Sequence, residues 1–530
     1  MLGRREKNIS IGDLWIENRI EKGSFWHKMR MFVDNHLSDE TFEKLFSNYG
    51  RPSIPPVYTF VAILIQFETG QSDKDMEGST AFDARYKYAM SAPQDFSGID
   101  SVTLCEHRNR FFENEVGKKI FVEFLKVVAE EESFKYENLN VIDSFMVVGS
   151  SAKQSTYQMI YGAIKNTLRI IKMQEIKLPN YKMIRSDYNE NLKKPSIDWS
   201  DKKEKAKLID ELVRDGLSII KALETSEEFN KNNEIERAYK LLKKVTTQDV
   251  EKDEFGKYQV TKGTAKDRTI SIIEPEMRHG HKTTSVKNDG YKCEIITGGK
   301  KGKFVIANRV FPANKPDGTY MDELIDEVDN YEIDLTIDTL YGDTAYCDFN
   351  TIEEYEEKNS MEFVVKAQPI KSNKGFYTKD DFEINLDKME VTCPSGNVEK
   401  IKKQGKITII FSKKRCNCCS KKELCTNSKS GRSITINKYE KRLKEQREKQ
   451  LTAEFKKDYN QRSNGERTIC FLTSKGGRKA RYVGIKKVQE QQYLVSLLNN
   501  IKQFAGELFK KTSSKCGWSM PKIYSYQINK

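Results

Sequence analysis

LNVIDSFMVVGS, residues 139–150, decides the fold. It is a β-rich apolar run interrupted by one acid, Asp143. A carboxylate in the middle of a central strand is expensive to bury unless it is paired or binds a cation. The stretch therefore predicts both a sheet and a charged site built on it. Downstream, RTISIIEP (268–275) has strand character. KTTSVKNDGYKCEIIT (282–297) and GKFVIANRVFPAN (302–314) read as paired strands about the glycine-rich turn GGKKGK. A helix is predicted around YMDELIDEV (320–328). IDLTIDTLYGDTAYCD (333–348) is an alternating strand ending in a Gly-Asp turn at Asp343. The short acidic helix TIEEYEEK and the strand EFVVKAQP (362–369) complete the series. The order is strand with acid, two strands, helix, strand with acid, helix, strand. It predicts a mixed α/β sheet that delivers acids to one edge.

The flanks differ. Residues 1 to about 130 read as helical. VYTFVAILIQFET (57–69) follows the proline-bounded entry GRPSIPPV, and DSVTLCEHRNRFFENEVGKKIFVEFLKVVAEE (100–131) continues amphipathically, with Arg108 and Arg110 expected on a helix surface as DNA contacts, the alternative being a plain helical scaffold. Residues 179–262 read as a charged helical insertion, carrying ELVRDGLSIIKALE and AYKLLKKV. From 371 to 436 the chain becomes β-like, basic and cysteine-bearing. A polar helix begins near Lys438 and leads to DYNQRSNGERTICFL (458–472); VQEQQYLVSLLNNIKQFAGELF (488–509) is amphipathic, and 511–530 reads as a basic tail.

At 530 residues the chain is too long for one core, so two to four domains are expected. Lys and Arg number 91 against 78 Asp and Glu, a formal charge of +13 that favours a polyanionic partner such as DNA. No run approaches the roughly 18–20 apolar residues that cross a bilayer. No secretion signal opens the chain, so the cytoplasm is its expected compartment. Ten cysteines in such a chain argue against a disulfide framework. No phosphate-binding loop, dinucleotide fingerprint or hydrolase serine elbow is present. His279 and His281, in RHGHKT, read as a polar turn.

Tyr459, Arg462 and Glu466 are spaced by three and four residues, which puts them on one helix face. Arg462 can pair with Glu466 or donate two hydrogen bonds to a phosphate. Taken alone, this is an ordinary i,i+4 salt bridge. Gly465 weakens the helix locally and leaves room for a close approach. With Asp143 and Asp343, Glu466 makes a hard-oxygen set suited to Mg²⁺ or Mn²⁺. Two such ions, roughly 3.5–4 Å apart, serve phosphodiester cleavage and transesterification. Asp334, Asp338 and Asp348 are nearby competitors. Cys393, Cys416, Cys419 and Cys425, with Cys418 between, offer four thiolates for structural Zn²⁺; the alternative is reduced thiols without metal. Around them Lys413, Lys414 and Arg415 form a basic surface suited to phosphate.

The chain resembles the bacterial insertion-sequence DDE transposases. GRPSIPPVYTFVAILIQFETG with DSVTLCEHRNRF looks like the family's N-terminal helical domain, and VIDSFMVVGSSA like its first-aspartate strand. RHGHKT through GYKCEII to VFPANKPD is similar to the central sheet, and LYGDTAYCDFNT to the second-aspartate turn. YNQRSNGER fits the Tyr-x2-Arg-x3-Glu signature, and ARYVGIKKVQEQQYLVSLLNNIKQF resembles the C-terminal helix. The resemblance implies an RNase H-like core in three parts (136–178, 263–370 and 437–510), preceded by a helical DNA-binding domain (1–135). It also implies Asp143, Asp343 and Glu466 as ligands of two Mg²⁺, Arg462 and Tyr459 beside them, strand cleavage and transfer at terminal inverted repeats, and a homodimer on DNA. The family's lysine seven residues after the glutamate is Thr473 here, with Lys475 the nearest substitute. Two other readings stand beside this one: a structure-specific nuclease on the same core, and a catalytically silent DNA-binding regulator.

Overall fold

The computed structural model describes residues 1–5, 11–130, 134, 137–178, 181–190, 192–226, 233–281, 286–370, 375–402 and 407–504. The expected basic tail, 511–530, lies outside them. Helices α1 (Ile11–Glu17), α2 (Phe25–His36), α3 (Pro56–Thr69), α4 (Asp73–Phe82), α5 (Ala84–Met90), α6 (Ser101–Glu113) and α7 (Val116–Ala129) open the chain. α3 starts on Pro56, whose missing N–H costs nothing in a first turn, and stops at Gly70 with φ 73°. Every residue from Pro56 to Phe67 is buried, so α3 is the axis around which the neighbouring helices pack.

β1 (Asn140–Val148) follows, then α8 (Thr156–Met173), α9 (Lys202–Glu224), α10 (Asn233–Thr247) and the hairpin β2 (Val250–Lys252)–β3 (Tyr258–Val260). The sheet continues with β4 (Arg278–His281), β5 (Lys287–Gly298) and β6 (Phe304–Pro312). After α11 (Met321–Asp329) come β7 (Thr339–Tyr341), α12 (Phe349–Asn359) and β8 (Glu362–Val364). Across the sheet the order is β6-β5-β1-β7-β8, with β4 on the end of β5. β5 runs antiparallel to β1 and β6 antiparallel to β5. β7 lies parallel to β1, and β8 parallel to β7. The expected mixed α/β architecture is what the chain adopts.

Beyond β8 stand the three-stranded sheet β9 (Glu383–Asn385), β10 (Glu390–Thr392), β11 (Val398–Lys400) and the hairpin β12 (Ile407–Ile410)–β13 (Ser433–Ile436), with the short helix α13 (Lys413–Asn417) between the last two strands. Helices α14 (Glu440–Lys449), α15 (Ala453–Tyr459), α16 (Ser463–Leu472) and α17 (Ile485–Gln503) complete the described chain.

One apolar core runs from α2 and α3 through α7 and α17 into β1, β5 and β6. α17 is buried along most of its length although rich in amides, because those amides serve the neighbouring strand. Asn500 donates to the Val305 carbonyl (2.8 Å) and accepts from the Val305 N–H (2.8 Å) on β6. Gln489 repeats the pattern at Val310 and Asn308. The side chains thus replace a missing strand partner. Helices α8, α9 and α10 have a core of their own, which the hairpin β2–β3 caps. β9 to β13 enclose a third.

Several expectations need correction. RTISIIEP is not a strand: Gln154 Oε1 takes the Ile272 N–H (2.8 Å), Ser271 Oγ takes that of Ile273 (3.2 Å), and no ladder forms. IDLTIDTLYGD pairs over Thr339–Tyr341 only. The insertion ends in a hairpin rather than a helix, turned at Gly256 with φ 73°. RHGH is strand β4, with His279 paired to Asp289. Arg108 is not on a surface: it is buried, donates to both oxygens of Asp73 (2.9 and 2.6 Å) and lies 5.0 Å from the Tyr482 ring. Its place on α6 faces α4, where a guanidinium is tolerated only because the carboxylate satisfies it. Arg110 is half-buried, 4.4 Å from the Phe46 ring.

Candidate active site

Strand register brings the two aspartates into one neighbourhood, close enough for Asp343 to act on Asp143 electrostatically. Val141 on β1 stands beside Tyr341 on β7, and the strands run parallel. Two residues further along each is an aspartate, Asp143 and Asp343. β1 continues, but β7 stops: Asp343 accepts from the Ala345 N–H (2.7 Å) and caps the 3₁₀ turn Thr344–Tyr346. That capping is what shortens the expected strand.

Glu466 arrives from the far end of the chain. Tyr459 closes α15, a 3₁₀ turn spans Asn460–Arg462, and α16 follows, with right-handed helical angles at Tyr459, Arg462 and Ser463. The i, i+3, i+7 face therefore survives the change of helix type. Arg462 donates to Asp143 Oδ2 (3.1 Å) through Nη1 and to Glu466 Oε1 (2.7 Å) through Nη2. One guanidinium thus spans two of the three acids. Tyr459 stacks on Phe455 with centroids 5.5 Å apart, and Lys366 Nζ lies 4.1 Å from its ring centre. A small apolar cluster of Leu139, Val141, Tyr341, Val364 and Phe455 supports this face.

Burial pushes the Asp143 carboxyl up to about 6, against the Ser144 N–H and Arg462, which favour its charge; Asp343 and Glu466 push the same way as burial. Tyr459 is also raised, mainly by burial, and it feels Asp343 and Asp143. These groups therefore share one electrostatic neighbourhood. Glu466 is 58% exposed and open to a substrate.

Three carboxylates are a donor set for a hard divalent cation, and Arg462 already does a cation's work between two of them. Their chemistry suits such an ion, but among the described residues no three acidic, histidine or cysteine side chains are grouped so as to hold one. Lys475 is turned elsewhere, ion-paired with Glu68 on α3 at 3.1 Å. The four cysteines line one cavity, while Cys418 is exposed. Lys413, Lys414 and Arg415 are exposed beside it.

The close approach expected at Gly465 is to Val141, where a Cβ would meet Val141 Cγ1 at 2.8 Å. Two features have no counterpart in the sequence reading. Lys366 covers Tyr459, a contact that no spacing signals. Glu294 is a second acid in an apolar strand, the same signal that singled out Asp143. It lies opposite Ser144, hence on the other face of the sheet, fully buried, accepting from the Gly318 N–H and pushed up to about 7 by that burial.

Two family models match the chain: one described as Transposase DDE domain, over residues 392–505, and one as Transposase domain (DUF772), over residues 14–110. The first spans Tyr459, Arg462, Glu466 and all four clustered cysteines. No curated protein and no solved structure matches.

Proposed function

Starting from an insertion-sequence DDE transposase, which the two family matches support, we propose that this chain cuts DNA at the terminal inverted repeats of its element and joins the freed 3′-hydroxyls to target DNA. The observation that carries the reading is the approach of Asp143 and Glu466 to one guanidinium, with Asp343 at the same level of the adjoining parallel strand. An RNase H-like core is inferred from the strand order β6-β5-β1-β7-β8, antiparallel over the first three and parallel over the last three.

Asp143, Asp343 and Glu466 would hold Mg²⁺ or Mn²⁺. Such ions, when bound, activate the attacking water or 3′-hydroxyl and stabilise the leaving oxygen. The chain's own residues do the rest. Arg462 has five donors in a fixed fork, so it can exchange a carboxylate for a phosphate oxygen and orient the backbone at the scissile bond. Tyr459, its ring held between Phe455 and Lys366, presents a hydroxyl to the same backbone. Lys413, Lys414 and Arg415 supply phosphate contacts that position DNA without reading its sequence. Two ends must be cut together, so the working unit is a homodimer on DNA.

The test is an excision assay on the element's own flanking DNA in Mg²⁺, comparing the wild-type chain with Glu466→Gln. Released and joined products from wild type alone are expected. Equal activity in both would remove Glu466 from the site. Cutting without joining would make the chain a nuclease, and binding without cutting a regulator.

A further inference from the structure

We propose that Cys393, Cys416, Cys419 and Cys425 bind one zinc ion that braces the β9–β13 module and its basic loop. The module spans about sixty residues yet has only seven buried apolar side chains among those described, centred on Phe382, Val391 and Phe411. So small a core commonly needs a further constraint, and a structural metal is one such constraint.

Three backbone turns deliver the four thiols. Cys393 follows β10 and opens a tight turn: the Gly396 N–H donates to its carbonyl (2.8 Å), and its own N–H donates to the Asn397 carbonyl (2.9 Å). Cys416 lies on α13, and the Cys419 N–H reaches back to its carbonyl (3.4 Å), so this pair stands one turn apart. Cys425 ends the 3₁₀ turn Lys422–Leu424. All four line the same cavity, and Cys425 is within electrostatic reach of the other three. None is in a disulfide. Cys418, between two of them in sequence, is exposed and does not line the cavity, so the convergence is selective.

Four soft thiolates from three turns match tetrahedral zinc and leave no position for substrate. No three of the thiols already form a closed cage, so zinc would draw them inward over the cavity. The loop between Cys416 and Cys425, and α13 before it, carry Lys413, Lys414, Arg415, Lys421 and Lys422. Clamping that loop would fix a cationic surface in one shape for DNA.

The full-length, tag-free chain, purified without chelator, is assayed for metal by mass spectrometry and for Co²⁺ exchange by absorption. About one zinc per chain, and a tetrahedral thiolate spectrum with Co²⁺, are expected. Cys416→Ser and Cys425→Ser lower zinc content well below one per chain, whereas Cys418→Ser and Cys470→Ser leave it unchanged. No zinc in wild type after incubation with Zn²⁺, iron in its place, or zinc retained by a Cys416→Ser/Cys419→Ser chain would each overturn the proposal. Because the readout is metal content, failure of the active-site reading leaves this result untouched.

Discussion

Gly465→Ala separates geometry from stability at this site. Gly465 is buried on α16, and an added Cβ would lie 2.8 Å from Val141 Cγ1 and 3.1 Å from Val141 Cβ. Carbon atoms pack comfortably at about 3.5–4.0 Å, so roughly 1 Å must be found. Val141 cannot give it. Its χ1 is stiff, and its backbone is paired with Thr297 on β5 and Tyr341 on β7. α16 has to move instead, and it carries Glu466. Overpacking of this kind costs about 1–3 kcal/mol, offset by about 1 kcal/mol from Ala's better helix propensity. The net loss of stability is therefore about 0–2 kcal/mol. For the catalytic role proposed for Glu466, by contrast, a shift of about 1 Å costs on the order of 10²-fold in rate.

Strand cleavage on a labelled terminal-repeat duplex, measured beside thermal denaturation, gives both quantities. The expected outcome is a rate loss near 10²-fold with a small change in melting temperature. Val141→Ala in the same chain removes the 2.8 Å contact but leaves the 3.1 Å one, so recovery should be partial. Gly465→Ala cutting as fast as wild type would refute the claim that this contact sets the position of Glu466.

Three further outcomes follow from the same structure. Arg108→Met should destabilise by about 3 kcal/mol, the low end for breaking a buried pair, because Asp73 keeps Gln66 at 2.8 Å and Arg481 at 3.3 Å; denaturant titration measures it, and weakened DNA binding without destabilisation would contradict the structural role. Glu490 is buried on α17, accepts from the Gly117 N–H (2.9 Å) and is raised by burial from 4.5 to about 7, so the folded state holds its proton more tightly than the unfolded chain. Its stabilisation is complete below about pH 4.5 and fades as pH rises to about 7, so Glu490→Gln should gain on the order of 3 kcal/mol relative to wild type between about pH 4 and pH 8, read by denaturation at each pH. Replacing Lys413, Lys414 and Arg415 by Ala should lower the slope of log binding constant against log salt by up to about 3 on any duplex; an unchanged slope would remove them from the DNA surface.

Much of this fold was legible because its elements are locally encoded. α3 announces itself by prolines before it and glycine after, and β5 and β6 by apolar runs about a glycine turn. RTISIIEP misled because its β-branched composition is real, but side chains from Gln154 and Ser271 took the backbone groups a strand would have used. Arg108 misled for a similar reason. Its surroundings are set by Asp73, thirty-five residues away, and by Tyr482, far beyond the reach of helical periodicity. An acid in an apolar strand also proved an ambiguous signal, since it marked Glu294 as readily as Asp143. Only the face of the sheet separates the two, and the face depends on pairing that composition does not state.

The site joins two kinds of information. Asp143 and Asp343 are brought level by parallel register, a long-range property; Arg462 and Glu466 are brought level by a helical turn, a local one. Three carboxylates on one edge repel unless a cation stands among them. The cheapest cation for the sequence to supply lies one turn before Glu466, where it also reaches Asp143 across 319 residues. The i,i+4 pair that would count for a few tenths of a kcal/mol on an exposed helix therefore has a second function here. It ties the last acid to the first where α16 packs on β1, and Gly465, against Val141, lets the helix come close enough to do so.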